Sequence, residues 1–285
     1  MKQGAVTSRD MTRRFSFGKN WKAYLSTIDD ERIHEAETSL RKILGLSDLS
    51  GKRFLDIGSG SGLFSLAARR MGATVHSLDY DPESVECAEA LRLRYFPNNT
   101  CWTIEQGSVL DLPYMESLGK FDIVYSWGVL HHTGDLEQAL DNAAIPVAEN
   151  GLLYIAIYND QGSVSRFWKA VKKRYCSGWI GRALVGTVFL PLLLLAHVIS
   201  GLVESGTPLS HFTTYKRNRG MSIFYDWIDW LGGYPFEVAR PEEIFLRYKS
   251  TGFSLENLKT KNGIGCNEFV FRNLRKRLTD IPKDT

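Results

Sequence analysis

Two acids, three glycines and a pair of histidines stand out for the chemistry their order permits. Asp56 lies two residues before Gly58, and the glycines then run Gly58, Gly60 and Gly62, with Ser59 after the first. Glycines at such a turn let the backbone bend tightly and let a ligand approach bare amides at a helix N-terminus. Asp79 closes a second strand-like run, Thr74 to Asp79, where a right-handed crossover sets a carboxylate beside the ribose of a bound nucleotide. The spacing is G-x-G-x-G, not the G-x-G-x-x-G of a dinucleotide site. A carboxylate at Asp56 repels a pyrophosphate and attracts a cation such as an amino-acid ammonium. Further on, His131 and His132 adjoin, and Asp226 and Asp229 stand three apart, on one face if that segment is helical. These four are the candidate bases, with His132 first. Packing, capping or a solvated face would also account for each of them.

These residues need elements to hold them. Phe54 to Ile57 reads as the opening strand, Leu63 to Met71 as the helix after the glycine turn, and Asp81-Pro82 as the start of a helix reaching Tyr95. Cys101 to Gln106 and Phe121 to Tyr125 are further strands. A helix over Leu136 to Val147 and a turn at Asn150-Gly151 lead into Leu152 to Ile157, an apolar run suited to a strand buried on both faces. Arg240 to Ser250, Phe253 to Lys259 and Cys266 to Arg272 supply the last helix and two strands. Ahead of all this, Asp29 to Leu44 carries apolar residues at helical spacing, and Phe15, Phe17 and Trp21 form an aromatic arm. The rings suit packing on the core or a lid over a ligand, with Trp21 against it and Lys19 or Asn20 near its carboxylate.

The run D-I-G-S-G-S-G, the later L-D-Y and the run FDIVYSWGVLHH together resemble the class I S-adenosylmethionine (SAM)-dependent methyltransferases. The resemblance covers about residues 51–157 and 239–273. It implies a Rossmann-like α/β sheet, mostly parallel with a final antiparallel strand, and SAM as the cofactor. Its ammonium would meet Asp56, and Tyr80 would lie on the adenine. The loop acid that often meets adenine in this family is Ser108 here, which leaves that contact to its hydroxyl and to backbone near Val109. Main-chain groups at Ser126 and Trp127 would face the cofactor, with His131 or His132 near the methyl. No metal is required.

The organisation expected is an arm and helix over 1–50, a SAM-binding core over 51–157, a helical insertion over 158–238 forming the substrate pocket or lid, and completion of the core over 239–285. In the insertion, Ser163 to Tyr175 is a basic amphipathic helix candidate. Ala183 to Val203 has no formal charge and is long enough for the roughly 20 residues of a membrane span. A single crossing would put the last strands on the wrong side of the bilayer, so packing within the protein, or peripheral membrane contact as a lipid-accepting lid, is expected instead. The net charge of +3 gives no reason to expect nucleic acid, and four dispersed cysteines read as reduced thiols of a cytoplasmic protein. The N-terminus lacks an apolar core of signal-peptide length. O-methylation of a small or lipophilic acceptor is the leading function. An RNA or protein methyltransferase, a non-catalytic SAM-binding protein and, last, a nicotinamide oxidoreductase are the alternatives. Oligomeric state is not legible.

Overall fold

The computed structural model describes Phe15 and residues 18–98, 100–207 and 223–275. The side chains of Lys19, Asn20, Asp226 and Asp229, together with Phe17, lie outside the described residues, so the roles considered for them are not placed. The chain opens with α1 (Gly18–Leu25) and α2 (Asp30–Leu44) and then alternates β1 (Arg53–Ile57), α3 (Leu63–Arg70), β2 (Thr74–Asp79), α4 (Pro82–Tyr95), β3 (Trp102–Gln106), α5 (Leu112–Ser117) and β4 (Phe121–Trp127). A 3-10 turn, Leu130–His132, leads to α6 (Leu136–Ala144) and β5 (Val147–Tyr158). The insertion supplies α7 (Ser163–Tyr175), α8 (Trp179–Ser205) and α9 (Ile223–Gly232), and the core is completed by α10 (Pro241–Ser250), β6 (Phe253–Lys259) and β7 (Cys266–Asn273).

The strands form one seven-stranded sheet in the order β3-β2-β1-β4-β5-β7-β6. The pairs from β3 to β5 are parallel, and β7 runs antiparallel to both β5 and β6. This is the Rossmann-like sheet with a reversed final strand that the sequence led us to expect. Its order reverses beside β1, at β4, so the carboxyl ends of these two strands face a crevice where open α/β sheets take ligands. Local chemistry fixes the boundaries. Asp29 caps α2 by accepting from Arg32 N, and Gly45 ends it in the left-handed region at φ 67°. Asp81 caps α4, with Pro82 at the first helical position. The apolar residues of β1, β4 and β5 feed buried clusters on both faces of the sheet.

Two expectations are corrected. The helix read over 136–147 stops at Ala144, because Val147 already pairs with Phe121 and the ladder then shifts register before Ile123 meets Leu152. Asn150-Gly151 is therefore a bulge inside β5, with Asn150 at φ 57°. Among the described residues the apolar run 183–203 packs along one row only. It belongs to the 27-residue helix α8, which continues through Pro191 and is exposed over most of its circumference.

Candidate active site

The glycine turn is tied down by the two strands it joins. Leu78 O accepts from the N–H groups of Gly58 (2.7 Å) and Ser59 (3.1 Å). Asp79 receives Gly60 N on one carboxylate oxygen and Asp81 N on the other, each at 2.9 Å. Gly58 and Gly60 have φ of 76° and 54°, and a Cβ on Gly58 would collide with Val129 while one on Gly60 would sit 3.0 Å from the Trp21 indole. These two positions thus need glycine for conformation and for space. Gly62 serves a different contact, since a Cβ there would come 3.0 Å from the Ala88 backbone on α4.

Asp56 is buried at the end of β1 and accepts from Ser65 Oγ at 2.5 Å. Ser65 in turn pairs with Ser77 Oγ (2.7 Å), to which Trp102 Nε1 donates (2.8 Å). The indole N–H can only donate, so the chain of hydroxyls is directed toward Asp56 and fixes it as an acceptor. Burial pushes its carboxyl up from 3.8 to about 7; the Ser65 hydrogen bond opposes this and nearby Asp79 adds to it.

A cavity of about 960 Å³ opens from this turn. It lies near the top of the usual range of about 300–1,000 Å³ for ligand clefts. Asp56, Gly58, Ser59, Gly60, Asp79 and Tyr80 line one end, with Ser108, Val109, Trp127 and Trp21 around them. The arm is tied at two points: Gly18 N donates to Asp81 (3.1 Å), and Phe15 N donates to Tyr234 O (3.0 Å) in the insertion. Trp21 is thereby held over Gly60.

The far end is aromatic. His132, Tyr158, Leu193, His197, Trp227 and Trp230 line it. His132 Nδ1 lies 2.6 Å from Pro235 O. A carbonyl can only accept, so Nδ1 carries the proton and the ring lone pair is on Nε2. His131 points elsewhere. It is fully buried outside the cavity lining, and neither ring nitrogen has a partner of hydrogen-bond geometry among the described residues. Burial first, then the charges of His132 and Lys172, hold its pKa well below the ordinary value. Ser126 is likewise absent from the lining, because its Oγ donates to Ile57 O at 3.0 Å and staples β4 to β1. Trp127, Gly128 and Val129 line the cavity in its place.

Four contributors went unread in the sequence: Ser65, Tyr158, Leu193 and His197. His197 Nδ1 donates to Leu193 O (2.8 Å), and its ring lies 5.2 Å from Trp227. It falls in the four-residue row Val185, Phe189, Leu193, His197, a periodicity that would have marked the inward side of α8.

The site suits SAM on its own features. A buried carboxylate awaits a cation, a glycine cradle excludes side chains, and the buried Ser59 hydroxyl has no partner among the described residues. Residues 55–155 match the family model described as a methyltransferase domain. Over 165 residues the chain is 30% identical to a ubiquinone biosynthesis O-methyltransferase of Rhodopseudomonas palustris, covering 55% of this chain and 58% of that protein. Over 156 residues it is 29% identical to a ribosomal protein L11 methyltransferase of Helicobacter hepaticus, covering 50% of this chain and 47% of the relative. The chain thus spans about half the length of these curated relatives. In fold it is similar to magnesium protoporphyrin IX methyltransferase from Synechocystis PCC 6803 with bound SAH, with a TM-score of 0.51 at 14% identity, covering 95% of this chain and 90% of that one. It is similar also to PKMT2 from Rickettsia typhi in complex with AdoHcy, with a TM-score of 0.53 at 18% identity, covering 84% and 52%. The cationic-ligand turn, the sheet order and the matched residues agree: residues 55–155 form a methyltransferase domain of Rossmann-like fold, and S-adenosyl-L-methionine is the cofactor its site fits.

Proposed function

We propose that this chain O-methylates a small, lipophilic acceptor, with His132 as the general base. The observation that carries the reading is the His132 ring, which lines the cavity while its Nδ1–H is committed to the Pro235 carbonyl. That bond sets the tautomer and leaves Nε2 as the basic atom. When bound, SAM supplies a methyl group on a sulfonium, whose in-line displacement leaves a neutral thioether. Asp56 and Asp79 would hold its ammonium and ribose, and Tyr80, Ser108 and Val109, which line the same cavity, would contact its adenine. His132 Nε2 takes the proton of the acceptor hydroxyl as the oxygen–carbon bond forms, and Tyr158, Trp227 and Trp230 exclude water and orient an apolar ring or chain. The aromatic lining favours such an acceptor over RNA or a protein side chain, and the ubiquinone-pathway relative agrees with it. Cytoplasmic location with peripheral membrane contact through residues 183–203 belongs to the same reading.

The test is SAH release with an alkylated hydroquinone as acceptor under saturating SAM. His132→Ala should lower kcat by about 10²–10⁴-fold and leave SAM affinity within about twofold, because the ring lies at the acceptor end of the cavity. Raising the pH should restore part of the loss as the acceptor ionises by itself. An unchanged kcat would remove His132 from the role.

A further inference from the structure

Helix α8 has two different surfaces. The row Gly181, Val185, Phe189, Leu193, His197 and Gly201 turns toward the protein. Val185 joins Val171 of α7 and Leu231 of α9 in one buried cluster, and Leu193 and His197 line the cavity. The outer row Leu184, Val188, Leu192, Leu195 and Ile199 is about half exposed at every position, from 50% to 55%. A helix apolar on all sides is at equilibrium only in an apolar surrounding.

The charge of the same hairpin names that surrounding. From Gln161 to Val203 the sequence has no Asp or Glu, yet it carries Arg166, Lys169, Lys172, Lys173, Arg174 and Arg182. Arg166, Lys173, Arg174 and Arg182 are exposed. A second copy of so uniformly basic a hairpin would be repelled, whereas an anionic leaflet attracts it at about 1 kcal/mol per cation near the surface. Crossing is excluded by the packing: α7 and α9 stay alongside α8, and α7 would carry its exposed cations into hydrocarbon.

We infer that α8 lies in the plane of an anionic membrane leaflet, its outer row in the lipid and its inner row forming a wall of the acceptor cavity. The inference deepens the lipophilic-acceptor reading by naming where the acceptor comes from, and the docking itself is measurable without any acceptor. Full-length protein should float with vesicles of phosphatidylcholine and phosphatidylglycerol (3:1), far less with phosphatidylcholine alone, and 0.5 M salt should release it, these being set conditions for a test of surface charge. Leu184→Asp, Val188→Asp and Leu192→Asp together should cut vesicle partitioning by more than about a hundredfold. Calorimetry should show SAM binding unaltered in that triple variant, which confirms that it is folded. Three results would overturn the inference: no flotation of the parent protein, retention on vesicles after an alkaline carbonate wash, as for a spanning helix, or a parent that sediments as a dimer, ignores vesicles and becomes monomeric in the triple variant. Failure of His132→Ala to affect turnover would undo the catalytic reading and leave the flotation result standing.

Discussion

Replacing Asp56 by Asn separates the cost of its burial from its use. In the fold its carboxyl is held at about 7, against an ordinary 3.8. Ionising it there costs on the order of 4 kcal/mol relative to the unfolded chain. Because the folded value is the higher one, stability is fully present below pH 3.8, declines as the pH rises, and has lost this contribution above about 7. Asp56→Asn carries no such penalty, so its unfolding free energy should exceed that of the parent protein by a margin that grows as the pH rises from 3.8 to about 7 and is level above it. Ligand binding should show the opposite consequence. A cationic ammonium beside Asp56 drives the carboxyl to its charged form, so the binding of SAM should release most of a proton at pH 6 and far less at pH 8. Calorimetry in buffers of different ionisation enthalpy reads this number directly. Asp56→Asn should release none and bind SAM about 10²–10³-fold more weakly, having lost a charge-assisted contact. Equal proton release from both proteins, or a stability difference that does not vary with pH, would refute the assignment of Asp56 as the cation site.

Gly60→Ala places a side chain at φ 54° and 3.0 Å from the Trp21 indole, so it should cost about 1–2 kcal/mol of stability and weaken SAM binding, measured by denaturant titration and calorimetry. Gly18→Ala would press on Glu83 and the Asp81 carboxylate that receives Gly18 N; limited proteolysis should then cut within 18–25 faster than in the parent, with the sheet still protected. Tyr248→Phe removes a buried hydroxyl that donates to Leu140 O at 2.9 Å, and should lower stability by about 1–2 kcal/mol without changing SAM affinity. If affinity falls with it, the core under α10 is coupled to the crevice in a way the packing does not account for.

What was legible in the sequence followed from short-range chemistry. The range of β2 and the start of α4 could be read because Asp81 and Pro82 punctuate the chain, and Asp56 and Gly60 lie within a few residues of the turn that gives them a purpose. The Asn150-Gly151 pair misled because a left-handed residue marks a bulge as well as a turn, and only the partner strand decides between them. His131 and His132 are equivalent in composition, and what divides them is the Pro235 carbonyl, 103 residues away from His132. Ser126 illustrates the same limit from the other side: its main chain was expected at the cofactor, yet the residue lies outside the cavity lining and its hydroxyl donates to Ile57 O. For α8 the obstacle was the solvent. Hydropathy states that Ala183 to Val203 should leave water but not which apolar phase receives it, and packing with α7 and α9 uses a single row of the helix. That row delivers Leu193 and His197 to the cavity while its opposite number stays exposed, so under the proposed membrane docking the two sides of one helix would join the place of docking to the place of chemistry.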